Sequence, residues 1–294
     1  MPLTIPQRSM RGALRSGLTV SEAVERLLGV RPVRAEPMRG GASTRAYHRV
    51  WFDPGGFRVP TLVVMELSGD PLAPEEATAG GVPKELPFLG MQRFLASRGL
   101  PVPDVYAADV EAGFVLIEDF GDETVARALA AGAPPEPLYE AAVDLLVDFQ
   151  ARCATPDPSC VAFGRAFDAP LLRWELDHFI EWGLDARAVV LGESDRDVLD
   201  RAFGRLVDEL DAAPRVLVHR DFQSTNLLVR DGRLRLIDFQ DAMMGSRVYD
   251  LVALLCDSYV DLGEPLSDRL FGRYARASAI LDTAALRRLF DLQT

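Results

Sequence analysis

Lysine is almost absent from this chain. Lys84 is the only one in 294 residues, and every other basic side chain apart from histidine is an arginine. A cationic anchor anywhere else must therefore be a guanidinium, which grips a carboxylate or phosphate through paired N–H donors. Cysteine is scarce too: Cys153, Cys160 and Cys256 are an odd number with no C-x-x-C pair, which argues against a disulfide scaffold or a zinc site. The three histidines, His48, His178 and His219, are too scattered for a His-rich metal centre. No apolar run approaches the ~20 residues of a membrane span, and the opening MPLTIPQRSMRGALRSG has no signal-peptide core. These absences point to a cytoplasmic protein without a membrane partner. Positive charge is also in deficit. The net charge of −12 repels phosphate backbones, so nucleic acid is a poor partner, although a local cationic site or a metal still admits a small anion.

What is abundant is apolar surface. A hydrophobic fraction of 48% supports a packed core, and the length suits one large domain or two modest ones. A helix is expected over 20–29, where Thr19 and Glu22 form a T-x-x-E capping box and Gly29 is a stop. Strands over 32–38, 45–52 and 61–67 are punctuated by Gly40-Gly41 and by Asp53-Pro54-Gly55-Gly56, as in antiparallel hairpins. A helix over 84–98 and strands near 105–109 and 113–118 follow. After Gly121 helical patterns dominate, over 123–131, 136–152, 169–184, 194–212, 249–260 and, with a break, 265–291. Three short strands interrupt them, near 216–218, 227–229 and 234–237. The expected class is α+β, with a β-rich lobe at 1–119 and a mostly helical lobe at 120–294.

Within the helical part, VHRDFQSTNLLV (218–229) breaks an apolar run with polar residues and then resumes it. Asn226 lies five residues after Asp221, and Asp238-Phe239 ends the next strand. Two carboxylates and an amide are thus presented from neighbouring strand ends. Phosphoryl transfer needs that set: one carboxylate to orient or deprotonate a hydroxyl, and an amide oxygen with a second carboxylate to hold Mg²⁺. The order H-R-D-x-x-x-x-N and then D-F is that of kinase catalytic and metal loops. An isolated H-x-D is ordinarily a capped turn; the added Asn226 and Asp238 make the difference.

Seven segments carry a wider resemblance: MRGGASTRAYHRV (38–50), TLVVME (61–66), FVLIEDFGD (114–122), LLRWELDHFIEWGL (171–184), VHRDFQSTNLLV (218–229), LIDFQDAMMGSRVYDLVALLCDSYV (236–260) and the terminal FDLQT. Together they are spread along nearly the whole chain. The chain resembles the aminoglycoside phosphotransferase family, the small-molecule branch of the bilobal protein-kinase-like fold. Within it the chain is most similar to anomeric sugar kinases, which phosphorylate N-acetylmuramate and N-acetylglucosamine in cell-wall recycling. The resemblance implies ATP and Mg²⁺ as cofactors and a small-molecule sugar as partner. It makes Asp221 the catalytic base and Asn226 and Asp238 the metal ligands. Glu118 to Phe120 become the adenine hinge. Gly40, Gly41, Ser43 and Arg45 belong to the phosphate-covering turn. Asp250 becomes an anchor of the catalytic loop, compatible with a plain helix cap. His219 braces the loop rather than doing chemistry.

The departures from the family pattern are specific. Met65 stands on the third strand where protein kinases carry lysine, as in the sugar-kinase subgroup. Arg45, just past the Gly-Gly turn, is the preferred substitute, ahead of Arg49 and Lys84; a solvated strand-edge role suits either arginine equally. Gln240 replaces the glycine of Asp-Phe-Gly, which argues against a flipping activation segment. For the acceptor, Glu175 and Trp182 lie seven residues apart, with His178 and Phe179 between, and would share one helical face. Aromatics and a carboxylate suit a sugar; a core stripe with one exposed acid fits the same pattern. Asp257 is a further candidate on that footing. The helix ending at Thr294 lacks a stop signal, so the chain is expected to be C-terminally truncated. Two other functions remain open, an aminoglycoside phosphotransferase and an inactive nucleotide-binding module.

Overall fold

The computed structural model describes residues 17–38, 45–67 and 85–294. The chain divides into two units. One holds Pro103–Asp119 and the described residues before Ala73; the other holds Phe120–Thr294 and the described residues from Pro74 to Val102.

The first unit opens with α1 (Val20–Leu28). Its expected capping box is present: the Thr19 hydroxyl accepts the Glu22 N–H at 3.3 Å, and Glu22 accepts the Thr19 N–H at 2.7 Å. Gly29 ends the helix at φ 71°, a left-handed conformation that glycine adopts without a Cβ clash. Strands β1 (Arg34–Pro37), β2 (Ala46–Trp51), β3 (Thr61–Glu66), β4 (Val105–Asp109) and β5 (Phe114–Glu118) form one antiparallel sheet in the order β1-β2-β3-β5-β4. Alternate residues point to one face of a strand. Leu62 and Val64 of β3, Phe114 and Leu116 of β5 and Val50 of β2 therefore meet Ala23 and Val24 of α1 in one core. Met65, on the opposite parity of β3, is also fully buried.

The second unit contains α2 (Pro87–Ser97), which starts later than the expected 84–98 because Pro87 occupies the first helical turn. Although α2 lies between β3 and β4 in sequence, its side chains pack within this unit. Phe88 stacks on Phe239 with centroids 5.1 Å apart, and Phe94 meets Phe163 edge-on. Helix α3 (Val125–Ala130) precedes α4 (Pro135–Arg152), whose buried Tyr139, Ala142, Val143, Leu146 and Phe149 form a single stripe at helical spacing. Helix α5 (Ala169–His178) is shorter than the expected 169–184. A π turn over Phe179–Leu184 replaces its last turns. Helices α6 (Glu193–Asp211), α7 (Tyr249–Leu255), α8 (Glu264–Ala277) and α9 (Thr283–Gln293) follow.

Short strands lie among these helices. Strands β7 (Leu227–Arg230) and β8 (Arg233–Leu236) make a hairpin around Asp231-Gly232, both at positive φ, the two-residue turn that Asp-Gly favours. Strand β6 (Arg215–Val218) pairs with β9 (Met243–Ser246), which was not expected from sequence. Among the described residues, no helix is long and apolar enough to cross a membrane.

The two kinds of stabilisation in the first unit differ in size. Leu116→Ala, removing a fully buried side chain, is expected to lower unfolding free energy by about 2–5 kcal/mol. Thr19→Ala, removing an exposed cap, should cost about 1 kcal/mol. Denaturant titration of both variants checks the ranking.

Candidate functional site

The site is built on strand ends. Strand β6 ends at Val218, the loop 219–226 follows, and β7 begins at Leu227. Because Leu227 pairs with Leu236, the residues just outside that pair are brought together across the hairpin. The Ile237 N–H bonds the Asn226 carbonyl at 3.2 Å, and the Asn226 Nδ2 lies 3.5 Å from the Asp238 Oδ2. Twelve residues of sequence separation are closed by one register.

Inside the loop, turns fix the spacing. Gln223 N–H bonds the Asp221 carbonyl and Asn226 N–H bonds the Gln223 carbonyl, both at 2.9 Å. The Asn226 Nδ2 also donates to the Asp221 carbonyl at 3.0 Å. With its NH₂ so used, the amide has its oxygen left as the atom that a cation would take. An amide oxygen beside a carboxylate is a hard donor set, and it fits Mg²⁺, which needs few protein ligands because it retains water.

Two buried aspartates hold the loop from beneath. Asp250, fully buried in the first turn of α7, accepts the His219 N–H at 2.7 Å and the Arg220 N–H at 3.0 Å. The N-cap position of α7 is Val248, so the Asp250 carboxylate serves the loop rather than its own helix end. Asp257, just past the end of α7, accepts the Ser224 N–H and the Tyr259 N–H, each at 2.8 Å. Both of its oxygens are thus engaged by backbone, and it is 8% exposed, which places it in the support of the loop. Tyr139 lies behind; its hydroxyl pKa is raised, first by burial and then by the Asp257 charge.

His219 sits in the same interior. Its Nδ1 accepts the Asp221 N–H at 3.2 Å, and its ring meets Phe149 and Phe222 edge-on. Burial pushes its pKa down to about 3, partly opposed by the Ile237 backbone, so the ring is neutral and braces the loop. Burial pushes Asp250 up to about 7, opposed by the two N–H groups it receives. Arg220 at φ 80° and Asp238 at φ 67° occupy left-handed backbone, an arrangement that surrounding bonds must sustain.

Other expected residues fall as follows. Glu175 is exposed on α5, 3.8 Å from the Arg220 guanidinium, and both line a cavity of about 380 Å³ with Phe167 and Tyr249. Trp182 lies in the π turn and is 63% exposed; the i→i+5 winding there breaks the seven-residue spacing that would have set it over Glu175. Glu118 closes β5, its carboxylate accepting the Asp104 N–H at 3.3 Å. Phe120 is 7% exposed beneath the Arg230 and Arg235 guanidinium groups. Arg45 is half-buried just before β2. Gly40, Gly41, Ser43 and Lys84 lie outside the described residues. Arg49 makes a bidentate pair with Asp119 at 2.7 and 3.0 Å. Sequence reasoning missed Arg165, whose guanidinium reaches the Gln240 and Ala242 carbonyls at 3.2 and 3.4 Å; a lone arginine carries no signal.

Comparison with known proteins gives one family and a consistent set of relatives. Residues 34–289 match the family described as "Phosphotransferase enzyme family". An N-acetylmuramate/N-acetylglucosamine kinase of Pseudomonas aeruginosa is 35% identical over 249 residues, 83% of this chain and 66% of the relative. The protein of the same name from Caulobacter vibrioides is 29% identical over 279 residues, 87% of this chain and 76% of the relative. The chain therefore spans about two-thirds to three-quarters of these relatives' length. Among solved structures, ADP-bound aminoglycoside phosphotransferase APH(2'')-Ib aligns with TM-score 0.59 at 16% identity, over 92% of this chain and 84% of its own. The GDP complex of aminoglycoside 2'-phosphotransferase-IIIa aligns with TM-score 0.61 at 16% identity, over 92% and 85%. These likenesses establish the kinase-like α+β fold.

The two buried titrating groups give opposite pH dependences. The raised pKa of Asp250 means its contribution is full below the ordinary carboxylate value and is lost as pH rises to about 7. The lowered pKa of His219 means its contribution is full above the ordinary histidine value and is lost as pH falls toward about 3. Between about pH 4 and 6.5 the two slopes oppose. His219→Asn removes one of them, so the variant's stability should fall more steeply than the wild type's as pH rises from about 4 to about 7. Denaturant midpoints across that range check the sign.

Proposed function

The chain belongs to the phosphotransferase enzyme family, and from that premise we propose that it is an ATP- and Mg²⁺-dependent kinase of a sugar hydroxyl. The acceptor we propose is the anomeric hydroxyl of N-acetylmuramate or N-acetylglucosamine, the class of sugar named in its relatives. One observation carries the reading: Asp221 sits on a loop tied down by two buried carboxylates, with Asn226 and Asp238 convergent beside it.

In this mechanism Asp221 takes the proton of the acceptor hydroxyl. The sugar oxygen bonds the transferred phosphorus in line as the bond to the departing ADP breaks. An anomeric hydroxyl is more acidic than an ordinary alcohol, so a carboxylate base suffices. Asn226 and Asp238 would hold Mg²⁺, which when bound neutralises charge on the phosphate oxygens. The proposed nucleotide contacts are Gly40, Gly41, Ser43 and Arg45, with the backbone at Glu118 and Phe120. Glu175 is the preferred acceptor-side carboxylate, because it lines a cavity with Arg220, the neighbour of Asp221. Trp182, on the π turn, is the second candidate. Asp257, each of whose oxygens accepts one backbone N–H, lines a cavity of about 450 Å³ with Tyr259 and is a third candidate.

A coupled ADP-release assay tests the acceptor with N-acetylglucosamine, N-acetylmuramate, other hexoses and aminoglycosides. Turnover of the two N-acetyl sugars is the expected result. Turnover of an aminoglycoside alone would overturn the sugar reading, and ATP binding without turnover of any acceptor would favour a binding module. Asp221→Asn should lower kcat on the order of 10²- to 10⁴-fold, the usual worth of a positioned base. Nucleotide affinity, measured by calorimetry, should stay near the wild-type value.

A further inference from the structure

Gln240 stands where an Asp-Phe-Gly segment would have glycine, and its side chain is not idle. It is 6% exposed. Its Nε2 donates to Asp238 Oδ1 at 2.9 Å and to Asp241 Oδ2 at 3.1 Å, so both amide hydrogens bridge two carboxylates. Its own backbone carbonyl accepts from the buried Arg165 guanidinium at 3.2 Å, which holds the segment from the other side. Phe239, fully buried against Phe88, fixes the residue between.

The consequence falls on Asp238. A carboxylate rotates about its last bond unless something holds one oxygen. Here Oδ1 is held by Gln240, and Oδ2 is the oxygen lying 3.5 Å from the Asn226 amide. The left-handed backbone at Asp238 aims the side chain; Gln240 sets its rotation. We propose that Gln240 is a positioning residue that presents one Asp238 oxygen to a divalent cation beside Asn226. It also separates the Asp238 and Asp241 charges by placing a donor between them. A glycine could do neither. This inference rests on reading Asn226 and Asp238 as metal ligands.

The test is Gln240→Met, which keeps length and burial and removes the donor. Mn²⁺ binding is measured by electron paramagnetic resonance with a non-hydrolysable ATP analogue, and the metal-free affinity for that analogue is measured separately. Loss of one hydrogen bond to a charged group should weaken Mn²⁺ binding roughly tenfold, with the metal-free affinity unchanged. Unchanged Mn²⁺ affinity overturns the role of Gln240 while leaving the ligand reading intact. An equal loss of metal-free analogue affinity also overturns it, because the effect is then a general distortion. Failure of the wild type to bind Mn²⁺ overturns the metal-site reading and this inference with it.

Discussion

The site depends on a buried carboxyl group. Asp250 is closed off from solvent, and the His219 and Arg220 N–H groups take its two oxygens. Burying a carboxylate is expensive unless such bonds offset the lost hydration. Once it is buried, the bonds become obligatory, because a loop that moved away would leave its oxygens unpaired in the interior. The same reasoning applies at the other end of α7, where Asp257 takes the Ser224 and Tyr259 N–H groups. One short helix therefore holds the loop on both sides of Asp221. Helix α7 packs against α4, whose apolar stripe includes Phe149 and Tyr139, so the loop's position follows from core packing.

That restraint makes local backbone strain tolerable. Arg220 and Asp238 sit at φ 80° and 67°, each costing about 1–3 kcal/mol for a non-glycine residue. The Arg220 N–H is fixed by Asp250, and Asp238 is fixed between a paired strand and Phe239. Unfavourable torsions occur at two residues that flank the proposed chemistry, and the bonds around them are what keep the torsions in place.

Much of the frame was legible because it is written in local rules. A capping box, a glycine stop and an Asp-Gly turn each act within a few residues, and α1 and the β7–β8 hairpin follow them. The loop order of Asp221, Asn226 and Asp238 was legible for the same reason, since a single hairpin register closes it. What stayed hidden is non-local. Strand β9 reads Met-Met-Gly-Ser, with no alternation to mark it, and exists through pairing with the distant β6. The π turn that carries Trp182 off the Glu175 face has no cap or proline to announce it. The bonds of Asp257 and Arg165 reach backbone atoms far along the chain, and backbone partners leave no trace in side-chain pattern.

The scarcity of lysine takes on meaning once the arginines are located. Met65 is fully buried on β3, so it leaves that position without a cation where a protein kinase would have one. Arg49, one strand away, is held by Asp119 in a two-point pair, with side chains only 16% and 6% exposed. A lysine could make one contact to that carboxylate; the planar guanidinium makes two and fixes its orientation. The pair ties β2 to the residue after β5, next to Glu118, so it stiffens the end of that strand. Arg165 does the equivalent in the other unit, bridging two carbonyls with a donor array that an ammonium on a flexible stem could not hold as rigidly. Arg49 and Arg165 are thus fasteners of carboxylate and backbone. Asp250, Asp257 and Asp238, by contrast, accept from donors that carry no net charge of their own: N–H groups at the first two and an amide at the third. At Asp238, positioning by a neutral donor adds no positive charge to offset the carboxylate, which favours the approach of a divalent cation.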